Sequence, residues 1–119
     1  MPSFLVESYK LRLAILRQGS PVVTQRNRVL EILSVPTYHG LVYRAIVNFS
    51  TGYDSWSGAP VVAYYDTTNP LDPRVLGWLP STEYSFWYDV LRSEKPLTFF
   101  YTITVIKGAE YVSEITLGS

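Results

Sequence analysis

The side chains able to do chemistry are few in this sequence, and they lie far apart. His39 is the single histidine and stands beside Gly40. A nucleophilic dyad would need a serine or carboxylate held against it, and a metal site would need further ligands at defined spacing. Neither pattern is present, and a histidine next to glycine at a strand start reads as turn polarity. Asp54, Asp66 and Asp72 fall in or beside segments of loop composition, where three carboxylates at one end of a sheet could hold a hard cation. Their spacing matches no EF-hand or comparable loop, and aspartate at a turn start is explained by bonding to its own backbone. There is no phosphate-cradling glycine loop, no Gly-x-Ser-x-Gly elbow and no His-Glu-x-x-His pair. The chain has no cysteine, which removes disulfides, thiolate catalysis, cysteine-ligated zinc and iron–sulfur clusters. These absences predict no catalytic residue, no metal site, no cofactor and a protein that is not an enzyme.

The segment best suited to binding is Gly52-Tyr53-Asp54-Ser55-Trp56-Ser57-Gly58. Its mixture of rigid rings and short hydrogen-bonding side chains is the composition of adaptable recognition loops. Tyr53, Asp54 and Trp56 form the candidate ligand site, with a ring stacking on a sugar or base and Asp54 bonding its edge. The same residues also suit a hairpin loop that folds Trp56 back over the core.

Charge is divided along the chain. Residues 1–50 carry Lys10, Arg12, Arg17, Arg26, Arg28 and Arg44 against Glu7 and Glu31, while the acidic excess lies beyond residue 50 and the total is zero. A neutral chain has no overall pull toward nucleic acid or anionic membrane. The basic N-terminal hairpin could meet a phosphate backbone, but six dispersed cations fit ordinary solvated faces or a charged strand edge better. Surfaces of opposite sign could also meet between copies, setting register in a homo-oligomer. Aromatic residues make up 15% of the chain, and such rings are enriched at interface cores. That excess predicts rings left over for contact with another molecule.

These residues must be positioned by a small β-rich domain. Charged residues are 17% and hydrophobic residues 47%, a balance that excludes disorder. The 119 residues are read as one domain, 1–119, with no repeat or linker. The first residues lack a basic segment and a long apolar run, so no export signal is read and a cytoplasmic location is expected. The longest apolar runs are far too short to span a bilayer, so no membrane partner is expected.

Tyr9 to Ile15 alternates apolar with polar or small residues, which marks a half-buried strand. Leu5, Tyr9, Leu11, Leu13 and Ile15 are expected to face the core. Gln18-Gly19-Ser20-Pro21 is a turn. The stretch 22–35 is ambiguous, with Val22, Val29, Leu30 and Leu33 at helical spacing, although a hairpin partner for the first strand is the economical choice. Residues 39–49, 61–65 and 74–79 alternate as strands. Residues 81–93 are read as a helix, capped by Ser81 or Thr82, with Trp87, Val90 and Leu91 inward and Tyr84 or Phe86 on the flank. Residues 97–106 and 111–117 form a terminal hairpin.

About seven strands and one helix imply a mainly antiparallel small barrel or two-layer sandwich. The function expected is a binding or interaction module, homo-oligomeric, meeting a protein partner through aromatic surface. The alternative is a small-ligand or carbohydrate-binding barrel using residues 53–56. Nucleic-acid binding through the basic hairpin stands behind both.

Overall fold

The computed structural model describes residues 2–21, 23–37, 39–50, 63–93 and 95–118. It is mainly β, with β1 (Ser3–Gln18), β2 (Val23–Ser34), β3 (Arg44–Ser50), β4 (Ala63–Asp66), β5 (Arg74–Pro80), β6 (Thr98–Ile106) and β7 (Ala109–Gly118). The helical segment is a single 3-10 turn, Ser81–Glu83, running directly into α1, Tyr84–Ser93. Hydrogen bonds link the strands in the closed circuit β1-β2-β3-β5-β4-β7-β6. Every neighbouring pair is antiparallel except β3 with β5, which is parallel. The mixed sheet follows from chain order: β4 lies between β3 and β5 in sequence but pairs on the far side of β5.

The ambiguous stretch 22–35 is strand from Val23 to Ser34. Leu30 and Ile32 of β2 are fully buried, whereas Val29 and Leu33 lie on the other face and are half-buried. Apolar residues on both faces of a strand imitate helical spacing. The third strand begins at Arg44 rather than at His39. A turn delays it: Gly40 has φ 77°, its N–H donates to Thr37 O at 2.8 Å, and Leu41 N–H donates to Thr37 Oγ1 at 3.1 Å.

Alternate residues of the strands fill the interior: Ala45, Val47 and Phe49 from β3, Val75 and Leu79 from β5, Phe99 and Tyr101 from β6, and Val112 from β7. The helix contributes Tyr84 and Leu91. Its Tyr84 and Trp87 rings lie 5.6 and 6.3 Å from Phe49, so the helix packs on the aromatic part of the core. Phe86 points outward at 69% exposure, which leaves Tyr84 as the flanking ring. The residue before the 3-10 turn is Pro80, which makes no side-chain cap hydrogen bond, and Ser81 lies inside the turn. The 3-10 turn bonds the Tyr84 N–H back to Ser81 O.

The first strand corrects a further expectation. A register shift between Val6 and Ser8 inserts a bulge, and a one-residue shift exchanges the two faces of a strand. Phe4 therefore points inward before the bulge, and Leu5 is 48% exposed. After the bulge the odd positions face the core side, but only Tyr9 packs against it. Leu13 and Ile15 are 72% and 71% exposed and Leu11 is 39% exposed. They lie where, among the described residues, the sheet has run out of neighbours. β1 meets β6 only over Ser3–Leu5, and β2 meets β3 only over Asn27–Leu33. Beyond these limits β1 and β2 continue as a two-stranded arm.

Candidate functional site

The arm is the most distinctive surface of the molecule. Its register sets Tyr9 opposite Ile32, Leu11 opposite Leu30 and Leu13 opposite Arg28. Opposed residues share a face, so the row that begins in the core at Leu30 and Ile32 continues outward through Leu11, Leu13 and Ile15. The cations stand around this row. Lys10, Arg12 and Arg17 are exposed, while Arg28 lies over the Tyr84 ring at 4.5 Å. Arg44 takes no part in a basic patch, because it is tied into an ion cluster.

At the root of the arm, where β6 leaves β1, there is a cavity of about 570 Å³. Val6, Glu7, Ser8 and Tyr9 form one wall, and Leu91, Lys95, Pro96 and Leu97 form the other. The last link across this junction is Val6 N–H to Leu97 O at 2.8 Å. Tyr9 meets Tyr88 of the helix edge-on at 6.2 Å, which fixes the direction of β1 as it departs.

A second surface is aromatic. Tyr64, 46% exposed, lies 5.3 Å from Trp78 and 5.2 Å from Tyr111. The three rings come from β4, β5 and β7 and turn away from the interior residues Ala63, Leu79 and Val112 of the same strands.

The titratable groups elsewhere hold the fold together. Arg44 joins Glu31 at 2.6 Å and Asp72 at 3.0 Å, and Arg74 joins Asp72 at 2.5 Å. This cluster ties β2, β3 and the entry to β5, with two guanidinium groups balancing two carboxylates. The Arg74 hydrogen bond, aided by the nearby Arg44 charge, holds the Asp72 carboxyl below its ordinary range. Asp66 accepts the Thr68 N–H at 3.0 Å, and that bond lowers its carboxyl too. Inside the sheet Tyr101 packs on Tyr65 and Phe99, with ring centres at 5.6 and 6.1 Å. Burial, reinforced by Tyr65, raises its phenol well above the ordinary tyrosine range.

Asp66 thus serves its own turn, as aspartates at turn starts do, whereas the Asp72 side chain is held by Arg44 and Arg74. His39 sits exposed in the turn before β3. Among the described residues no group of three or more metal-ligating side chains is assembled. Tyr53, Asp54 and Trp56 lie outside the described residues. Among the described residues, no helix is long and apolar enough to cross a membrane. Sequence periodicity found the alternation in β1 but assigned its row to the core, because a strand's pattern does not record whether anything covers it. The aromatic surface had no such signal, since Tyr64, Trp78 and Tyr111 are far apart in sequence.

No family model, curated protein or solved structure matches this chain.

Proposed function

We propose that this chain is a non-enzymatic interaction module that assembles with copies of itself. The observation that carries the proposal is the uncovered row Leu11, Leu13 and Ile15 on the two-stranded arm. Fully burying one such side chain contributes about 1.5–3 kcal/mol, and association costs about 4–15 kcal/mol in lost freedom. The row alone supports only weak assembly, so backbone pairing or further contact must add to it. The aromatic surface at Tyr64, Trp78 and Tyr111 supports recognition of a protein partner by the assembled module.

Sedimentation equilibrium over a wide concentration range tests self-assembly. The expected result is a mass rising from 13.6 kDa to a whole multiple of it. A mass fixed at the monomer value up to high concentration would refute the proposal.

A second function, small-ligand or carbohydrate binding, draws support from the same ring cluster, because flat rings on a rigid sheet are stacking platforms. Titrating tryptophan fluorescence with a panel of glycans and nucleotides should then give a saturable change that Trp78→Phe reduces. A flat response through millimolar ligand removes this alternative.

A further inference from the structure

Resting on the self-assembly proposed above, we infer that two copies join edge to edge along β1, antiparallel, about a two-fold axis at Leu13. Past Leu5, β1 has no strand on its second side among the described residues. A long row of backbone donors and acceptors is thereby left without a strand partner among the described residues. Such an edge is a template for another strand. Among the described residues β6 also lacks a second neighbour at its far end, over Thr102–Ile106, but that stretch is shorter.

Charge and side-chain type select the register. The arm is cationic, so a second copy must be placed without setting cation against cation, because like charges directly opposite one another are unfavourable. An axis at Arg12 puts Arg12 against its own copy. An axis at Ala14 puts Arg17 into the apolar row, opposite Leu11. An axis at Leu13 sets Leu13 on Leu13, Leu11 on Ile15 and Tyr9 on Arg17, with Arg12 opposite Ala14 and Lys10 opposite Leu16. The apolar row then covers itself, and each arginine at the end of the row meets a tyrosine face.

The cavity at the arm's root supports the same occupant. In this register Gly19, at the turn of the second copy, arrives opposite Glu7. Glu7 is in the wall of the cavity where β6 has left β1. The copy thus takes up the edge where the chain's own β6 abandons it. A two-fold pairing gives each protomer the same contact and closes the assembly at a dimer.

The chain's lack of cysteine makes disulfide trapping a direct test. Leu13→Cys is expected to give a disulfide-linked dimer on mild oxidation, because residues opposed across an antiparallel pair lie within disulfide reach. Leu11→Cys alone and the distant Val105→Cys should stay largely unlinked, whereas Leu11→Cys mixed with Ile15→Cys should link. Leu13 is mostly exposed, so its replacement does not disturb the core. Sedimentation of the unmodified protein runs in parallel. A native dimer in which Val105→Cys links as readily as Leu13→Cys overturns the β1 edge and leaves self-assembly standing. A native monomer overturns both. Salt gives an independent readout: raising it from about 0.01 M to about 1 M shortens the screening length from about 30 Å to about 3 Å. Dimerisation should strengthen several-fold over that range as the cationic arms cease to repel, and weakening would contradict pairing of two basic arms.

Discussion

Tyr101 and Asp72 are placed by the fold at opposite ends of the pH scale. Tyr101 is 5% exposed, and burial raises its phenol, so the folded state holds the neutral form to higher pH than the unfolded chain does. Its contribution is complete below the unfolded value of about 10 and is lost as pH rises through the folded one. Tyr101→Phe should cost about 1 kcal/mol near neutrality through the lost side-chain hydrogen bond with Tyr65. That cost should shrink or reverse above about pH 10, where only the native tyrosine still ionises on unfolding. Urea titrations of both proteins at pH 7 and pH 11 decide it, and a constant difference would contradict the assignment. Asp72 behaves in the opposite sense. Arg74 lowers its carboxyl, so its contribution is present above the unfolded value of about 3.9 and lost as pH falls through the folded one. Asp72→Asn should lower the urea midpoint at neutral pH, with the gap closing in acid; a gap that persists there would remove the Arg44–Asp72–Arg74 cluster as its source. Neither partnership was legible beforehand. Asp72 was recognised as a turn residue, but Arg44 stands far from it in sequence and meets it only through the parallel pairing of β3 with β5.

At the scale of the element, β1 shows what periodicity records and what it omits. Alternation identifies which residues share a face, and it located the strand correctly. It cannot show whether that face is covered, because coverage depends on where β6 and β3 stop. Nor does it reveal the bulge between Val6 and Ser8, which turns Leu5 outward while leaving the pattern around it intact. The helix at 81–93 was legible because proline, acidic residue and apolar stripe agree there, as consistent local signals do. The contrast between covered and uncovered leucines on one hairpin gives a prediction. Leu30 and Leu13 lie on the same face, with relative exposures of 0% and 72%. Leu30→Ala should destabilise the protomer by about 2–5 kcal/mol. Leu13→Lys should change protomer stability by no more than about 0.5 kcal/mol and yet abolish dimerisation, by placing ammonium groups against each other at the axis. Thermal melts at low concentration and sedimentation at high concentration separate the two effects. A Leu13→Lys protein that still dimerises would place the interface elsewhere.

For the whole molecule, the uncovered apolar surface has a different composition from the one the sequence suggested. The count of rings implied that aromatic residues would outnumber interior places. The closed sheet and its helix absorb many of them: Phe4, Phe49, Tyr84, Phe99 and Tyr101 are buried, and Tyr9, Tyr43, Tyr65, Trp87 and Tyr88 pack against them. Among the described residues, the uncovered row Leu11, Leu13 and Ile15 is aliphatic and lies on the arm. Shape agrees, since the radius of gyration is 14.9 Å against about 13.5 Å for a compact domain of this length. The principal extents of 50 × 38 × 23 Å describe a body drawn out along one direction. A two-stranded ribbon is marginal alone, and here its β1 edge has no paired strand past Leu5 among the described residues. Amide hydrogen exchange follows that edge directly. In the protomer, β1 amides that point toward β2 are protected, and those that point to the open side exchange quickly. Raising the concentration should slow the outward amides between Tyr9 and Arg17 while leaving Thr102–Ile106 unchanged, and Leu13→Lys should cancel the effect. Slowing confined to β6 or to the aromatic surface would mean that copies meet there and that the arm serves another partner. The outward amides belong to a stretch that β2 already holds extended, so a second strand adds there without refolding the arm.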